Sequence, residues 1–101
     1  MSKVYFTIAG MQYRFGNEFL KKGMEVKLIK EPDNPYDKEA IRVEFEGLGH
    51  IGYVANSTNT VKGESYSAGR LYDKIGKKAK GIVQVITPYG AICSVRKQDL
   101  K

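Results

Sequence analysis

The chain has no tryptophan, one cysteine, one histidine and three prolines among its 101 residues. Each scarcity excludes something. A lone Cys93 cannot build an internal disulfide framework, and it fits a reducing cytoplasm, where it reads as a small core residue. A lone His50, with no Cys or Ser pattern beside it, supplies neither a zinc set nor a nucleophilic triad. No apolar run approaches the roughly 20 residues of a membrane span. The first ten residues alternate and carry no signal-peptide apolar stretch or cleavage site. Gly76-Lys-Lys-Ala-Lys-Gly81 lacks Walker spacing and reads as a basic loop. No cofactor is expected.

Positive charge is what the chain has in excess. Seventeen Lys and Arg face eleven Asp and Glu, a net charge of +6. A basic surface favours a polyanionic partner, and nucleic acid is preferred over a membrane because no basic amphipathic helix is evident. The length suits one domain spanning residues 1–101 with a real core.

Alternation of apolar and polar residues predicts mostly strands. Residues 3–9, 24–30, 41–45, 50–55, 79–87 and 91–97 all read as short strands. Residues 18–22 allow a helical turn, and 56–67 form a polar loop. One short helix fits after Ser67 as a cap, with Gly76 as its stop. Six strands and one helix predict a mainly β protein: a small OB-like or SH3-like barrel, partly open, binding its ligand in a surface groove.

Two of the three prolines fall in one joint between strands, Glu31-Pro-Asp-Asn-Pro-Tyr-Asp-Lys-Glu-Ala40, which also holds four carboxylates. Glu31, Asp33, Asp37 and Glu39 allow one reading as a divalent-metal-dependent nuclease, although calcium-loop spacing is absent. The other reading is a stiff turn, with Asn and Asp side chains satisfying the backbone. Tyr13, Phe15, Tyr36, Tyr53 and Tyr89 lie at turns or strand ends, where aromatic rings can stack on bases. A third reading makes the 57–69 loop the surface of a protein–protein adaptor.

The string Glu31-Pro-Asp-Asn-Pro-Tyr-Asp-Lys-Glu-Ala-Ile-Arg-Val43, followed by His50-Ile-Gly-Tyr-Val54, resembles the HIRAN domain. The likeness runs from Phe6-Thr-Ile-Ala-Gly10 to Pro88-Tyr-Gly90, strongest over residues 26–54 and weakest over 56–67. It implies an OB-like barrel, found fused to DNA-remodelling helicases or free-standing in bacteria. It also implies a non-enzymatic module of DNA repair that binds single-stranded DNA, notably 3′ ends. The resemblance carries over a DNA-facing set of Arg14, Phe15, Asn34, Tyr36, Asp37, Tyr53, Asn56 and Tyr89. Where a helicase-linked member can place a lysine, this chain has Asn56. The segment 57–68 is longer than its counterpart in fused members. With no motor in the chain, a helicase or nuclease partner acting in trans would supply any enzymatic step.

Overall fold

The computed structural model describes residues 3–56 and 65–101. Six antiparallel strands form it: β1 (Tyr5–Ala9), β2 (Glu25–Lys30), β3 (Ile41–Phe45), β4 (Gly49–Val54), β5 (Lys78–Ile86) and β6 (Ala91–Val95). They close into a barrel in the order β1-β4-β3-β2-β5-β6. The expectation of a partly open barrel is corrected to a closed one. The seam is nonetheless narrow: β1 meets β4 through two register pairs, Ile8↔Val54 and Ala9↔Tyr53, against four between β1 and β6.

Alternation drives closure. Val26 and Leu28 of β2, Ile41 and Val43 of β3, and Phe6 and Ile8 of β1 point inward and are buried, while Glu25, Lys27, Arg42 and Glu44 face out. Cys93 lies in this core as expected, and burial pushes its thiol up to about 12. Each fully buried aliphatic side chain contributes about 1.5–3 kcal/mol.

The helix α1 (Ala68–Tyr72) is capped by Ser67, whose Oγ accepts from Arg70 N at 3.3 Å. It ends at Asp73, before the glycine expected to stop it, and it buries Ala68 and Leu71 in the core. The helical turn expected at 18–22 is absent; that stretch is a pair of tight turns closed by Leu20 N to Asn17 O and Met24 N to Lys21 O. A short 3-10 turn, Met11–Tyr13, precedes it and buries Met11. Most of the polar loop, and with it most of the adaptor surface, falls on residues 57–64, outside the described residues.

A β-bulge sets the outer face of β4. Val43 pairs with Gly52 but Glu44 pairs with His50, so Ile51 is an extra residue in β4. Bulges re-aim side chains. Here the bulge puts His50 and Tyr53 on one face, where simple alternation would separate them. Their rings meet edge to face with centroids 4.7 Å apart.

Candidate nucleic-acid interface

The β2–β3 joint is rigid because its side chains replace missing backbone partners. Asn34 Oδ1 accepts from Tyr36 N at 2.8 Å and Asp37 N at 3.0 Å. Asp37 Oδ1 accepts from Glu39 N at 2.9 Å, and Ala40 N donates to Asp37 O at 3.1 Å. Glu31 N closes the base of the joint by donating to Ala40 O at 2.8 Å. Held this way, Tyr36 stands almost entirely in solvent, 96% exposed.

Glu31 ties this joint to the barrel wall. Its Oε1 accepts from Asn34 Nδ2 at 3.0 Å and from Tyr53 OH at 2.9 Å, and its Oε2 accepts from Arg42 Nη1 at 2.9 Å. Burial alone would raise the Glu31 carboxyl, but hydrogen bonds from Asn34 and Tyr53 and the charge of Arg42 outweigh it and hold it below its usual range. Arg42 is shared with Glu44, whose Oε2 lies 2.9 Å from its Nε at an angle that makes an ion pair and not a hydrogen bond. A shallow cleft of about 470 Å³ opens beside this network, lined by Lys30, Glu31, Pro32, Asp33, Asn34, Pro35, Arg42 and Tyr53.

Asn56, two residues past β4, carries the joint over to α1. Its Nδ2 donates to Asp37 Oδ2 at 2.9 Å, and its Oδ1 accepts from Gly69 N at 2.8 Å. The four carboxylates of the joint therefore do not converge. Glu31 and Asp37 serve different hydrogen-bond donors, and among the described residues no three His, Cys, Asp or Glu side chains group as metal ligands.

Arg14 and Phe15 follow the 3-10 turn and are exposed. Arg14 lies close enough to His50 and Tyr53 to act on both electrostatically. Burial first, and then the Arg14 charge, lower the affinity of His50 for a proton. The structure thus gathers Asn34, Tyr36, Asp37, Tyr53 and Asn56 into one hydrogen-bonded unit, with Arg14 beside it. Phe15 follows Arg14 in the same loop, and Tyr89 lies in the turn between β5 and β6. No hydrogen bond or ring contact among the described residues links Tyr89 to the β2–β3 joint.

Three contributors escaped the sequence. Asn17 donates from Nδ2 to Thr87 O at 2.7 Å and Gly90 O at 2.9 Å, clamping the loop of Arg14 and Phe15 to the turn that carries Tyr89. Its partners are about seventy residues away along the chain, so no local signal marks it. Glu31 was visible only as part of an acidic crowd. His50 joins Tyr53 only through the bulge.

Comparison with known proteins agrees with this geometry. A crystal structure of a protein from Lactobacillus plantarum superposes with a TM-score of 0.61 at 23% identity, covering 93% of each chain. The crystal structure of the HIRAN domain of human HLTF superposes with a TM-score of 0.62 at 19% identity, covering 93% of this chain and 73% of that one. At these identities the two structures show the shared fold. No curated protein matches the sequence. The description of the HIRAN domain matches residues 1–85, which hold the whole β2–β3 joint and its partners on β4. With the barrel fold shared and the match spanning most of the sequence, the chain belongs to the HIRAN domain family.

Proposed function

We propose that this HIRAN domain is a non-enzymatic DNA-binding module that takes single strands and their 3′-hydroxyl ends at the β2–β3 joint. The observation that carries the reading is the exposure of four aromatic rings: Tyr36 on the rigid β2–β3 joint, Tyr13 and Phe15 on either side of Arg14, and Tyr89 on the turn that Asn17 clamps to their loop. Tyr13 is 84% exposed, Phe15 55%, Tyr36 96% and Tyr89 71%, so none of them is a core residue. Rings held in solvent next to Arg14 on a basic chain suit base stacking with phosphate anchoring. The proposed site is Arg14, Phe15, Asn34, Tyr36, Asp37, Tyr53, Asn56 and Tyr89. Enzymatic steps in DNA repair would come from a helicase or nuclease acting in trans in the cytoplasm. The nuclease alternative draws no support from a joint in which Glu31 and Asp37 serve separate partners.

Fluorescence anisotropy with labelled oligonucleotides tests the reading. Single strands should bind more tightly than blunt duplex, and affinity should fall steeply with salt as bound phosphates release their counterions. Equal affinity for blunt duplex, or binding indifferent to salt, would overturn it. Incubation of the same oligonucleotides with Mg²⁺ should leave them intact.

A further inference from the structure

Part of the excess positive charge is gathered on one surface. Arg42, Lys80 and Arg96 are ion-paired to Glu31, Glu25 and Asp99. Lys30, Lys74, Lys77, Lys78 and Lys101 are not ion-paired among the described residues, and the fold collects them. Lys30 N donates to Lys77 O at 3.0 Å, and Lys101 N donates to Lys74 O at 2.8 Å. Ile29 pairs with Lys78 across β2 and β5, and Ile75 bridges to Leu100. Lys30 Nζ stands 4.3 Å above the Tyr72 ring. Burial first, and then the charge of Lys101, make Lys30 easier to deprotonate, against the opposing pull of Asp73.

This surface adjoins the candidate site, because Lys30 also lines the cleft of Glu31, Arg42 and Tyr53. We infer that the lysines at the end of β2 and the α1–β5 junction form a second phosphate-binding surface, over which a strand anchored at the β2–β3 joint continues. The inference rests on the function proposed above and extends it to the internal backbone of the strand.

The chemistry favours a polyphosphate over an acidic protein. Protein interfaces are anchored by buried aromatic or other apolar side chains. Among the described residues the large exposed apolar side chains are Tyr13, Phe15, Tyr36, Leu48, Val85, Ile86 and Tyr89, and none belongs to the lysine cluster. The rings within it are half-buried and lie under lysines: Tyr72 under Lys30, and Tyr66 with Lys74 Nζ 6.0 Å from its centre. A phosphate chain needs only the charge.

The test compares single strands of about 4 and about 12 nucleotides, lengths that bracket a small barrel's footprint. It uses the wild type and a Lys74→Gln/Lys77→Gln/Lys78→Gln variant, whose three sites are exposed. The wild type should bind the longer strand more tightly. The variant should bind the short strand as the wild type does and lose most of the gain from length. Its salt slope on the long strand should fall by about 0.7 for each phosphate it no longer neutralises. If the variant keeps the full gain from length while the short strand still binds, this inference fails and the proposed function stands. If the wild type binds neither strand, both fail. Capture of poly-glutamate by the wild type but not the variant, with oligonucleotide binding indifferent to length, would assign the surface to an acidic protein and overturn the inference.

Discussion

Asn56 donates from Nδ2 to Asp37 Oδ2 over 2.9 Å, while Asp37 Oδ1 accepts from Glu39 N over 2.9 Å. Among the described residues each oxygen of the carboxylate thus has one donor directed at it. A carboxylate oxygen can accept two, which leaves capacity for a further donor. A group fixed in this way repels an internal phosphate but can still receive a terminal hydroxyl. The wild type should therefore prefer a 3′-hydroxyl oligonucleotide over its 3′-phosphate twin by about 1.5–3 kcal/mol, the range for a hydrogen bond to a charged acceptor. Asp37→Asn should lose most of that preference. Its new amide would face the Nδ2 of Asn56, so its melting temperature must be measured alongside. Equal binding of the two oligonucleotides by the wild type would sink the idea.

Tyr36 makes a cleaner case, because 96% exposure leaves its ring almost nothing to stabilise in the folded chain. Tyr36→Ala should change stability by no more than about 0.5 kcal/mol, the usual range for a surface substitution. Its effect on single-strand affinity should be larger, about 1–3 kcal/mol for one stacked base. Tyr36→Phe should bind nearly as the wild type does if the face of the ring is what the base meets. Urea denaturation and anisotropy on the same samples separate the two effects.

His50 gives a pH dependence whose sign follows from its surroundings. Arg14 from the loop, Arg42 from β3, Glu31 from the joint and the edge-on ring of Tyr53 surround it, a backbone hydrogen bond with Gly52 favours its proton, and its buried Nε2 has no hydrogen-bond partner among the described residues. Burial and Arg14 lower its proton affinity in the folded state. The unfolded chain, with a histidine pKa of about 6.5, therefore takes up the proton first as the pH drops. This contribution to stability is fully present above about 6.5 and is lost as the pH falls from there through the folded-state value, at no more than about 1.4 kcal/mol per pH unit. His50→Gln should flatten the change in urea midpoint between about pH 7 and pH 5.5. An unchanged slope in that variant would assign the dependence to another group. Glu31, also depressed, acts in a lower window, below its unfolded value of about 4.3.

The alternation of Val26 and Leu28 with Lys27, and of Ile41 and Val43 with Arg42, made strands β2 and β3 legible as half-buried. The turn chemistry of Asn34 and Asp37 was equally plain, since Asx residues satisfy backbone locally. Register was not. The bulge at Ile51 inserts one residue into β4 and changes which side chains share a face. Tyr53 could therefore be named without its ring partner His50. Gly52 shows another limit: a Cβ there would meet Ala9 O at 2.7 Å, a constraint set by the neighbouring strand and invisible along the chain. Barrel closure likewise depends on the two register pairs of the β1–β4 seam, and alternation within each strand says nothing about them.

Asn17 presents the same limit at the candidate site, and its role can be measured. One side-chain amide donates to the carbonyls of Thr87 and Gly90, the residues that flank Pro88 and Tyr89. The turn cannot easily repack, because a Cβ on Gly90 would stand 2.0 Å from Ile8 O, so its backbone is pressed against β1. Asn17→Ala removes both donors and should cost about 1–3 kcal/mol of stability, since the Thr87 carbonyl loses its side-chain donor and the Gly90 carbonyl is left with Thr87 N alone. If the clamp also positions Tyr89 for stacking, the effects of Asn17→Ala and Tyr89→Ala on single-strand affinity should not add. The double variant should then fall short of the sum by about 0.5–3 kcal/mol, the range seen for coupled residues. Additive effects would mean that Asn17 stabilises the fold without aiming the ring. Asn17→Asp is a useful control, because it keeps the shape of the side chain but replaces the donor with a carboxylate facing two carbonyl oxygens. It should be at least as destabilising as Asn17→Ala in urea denaturation at neutral pH.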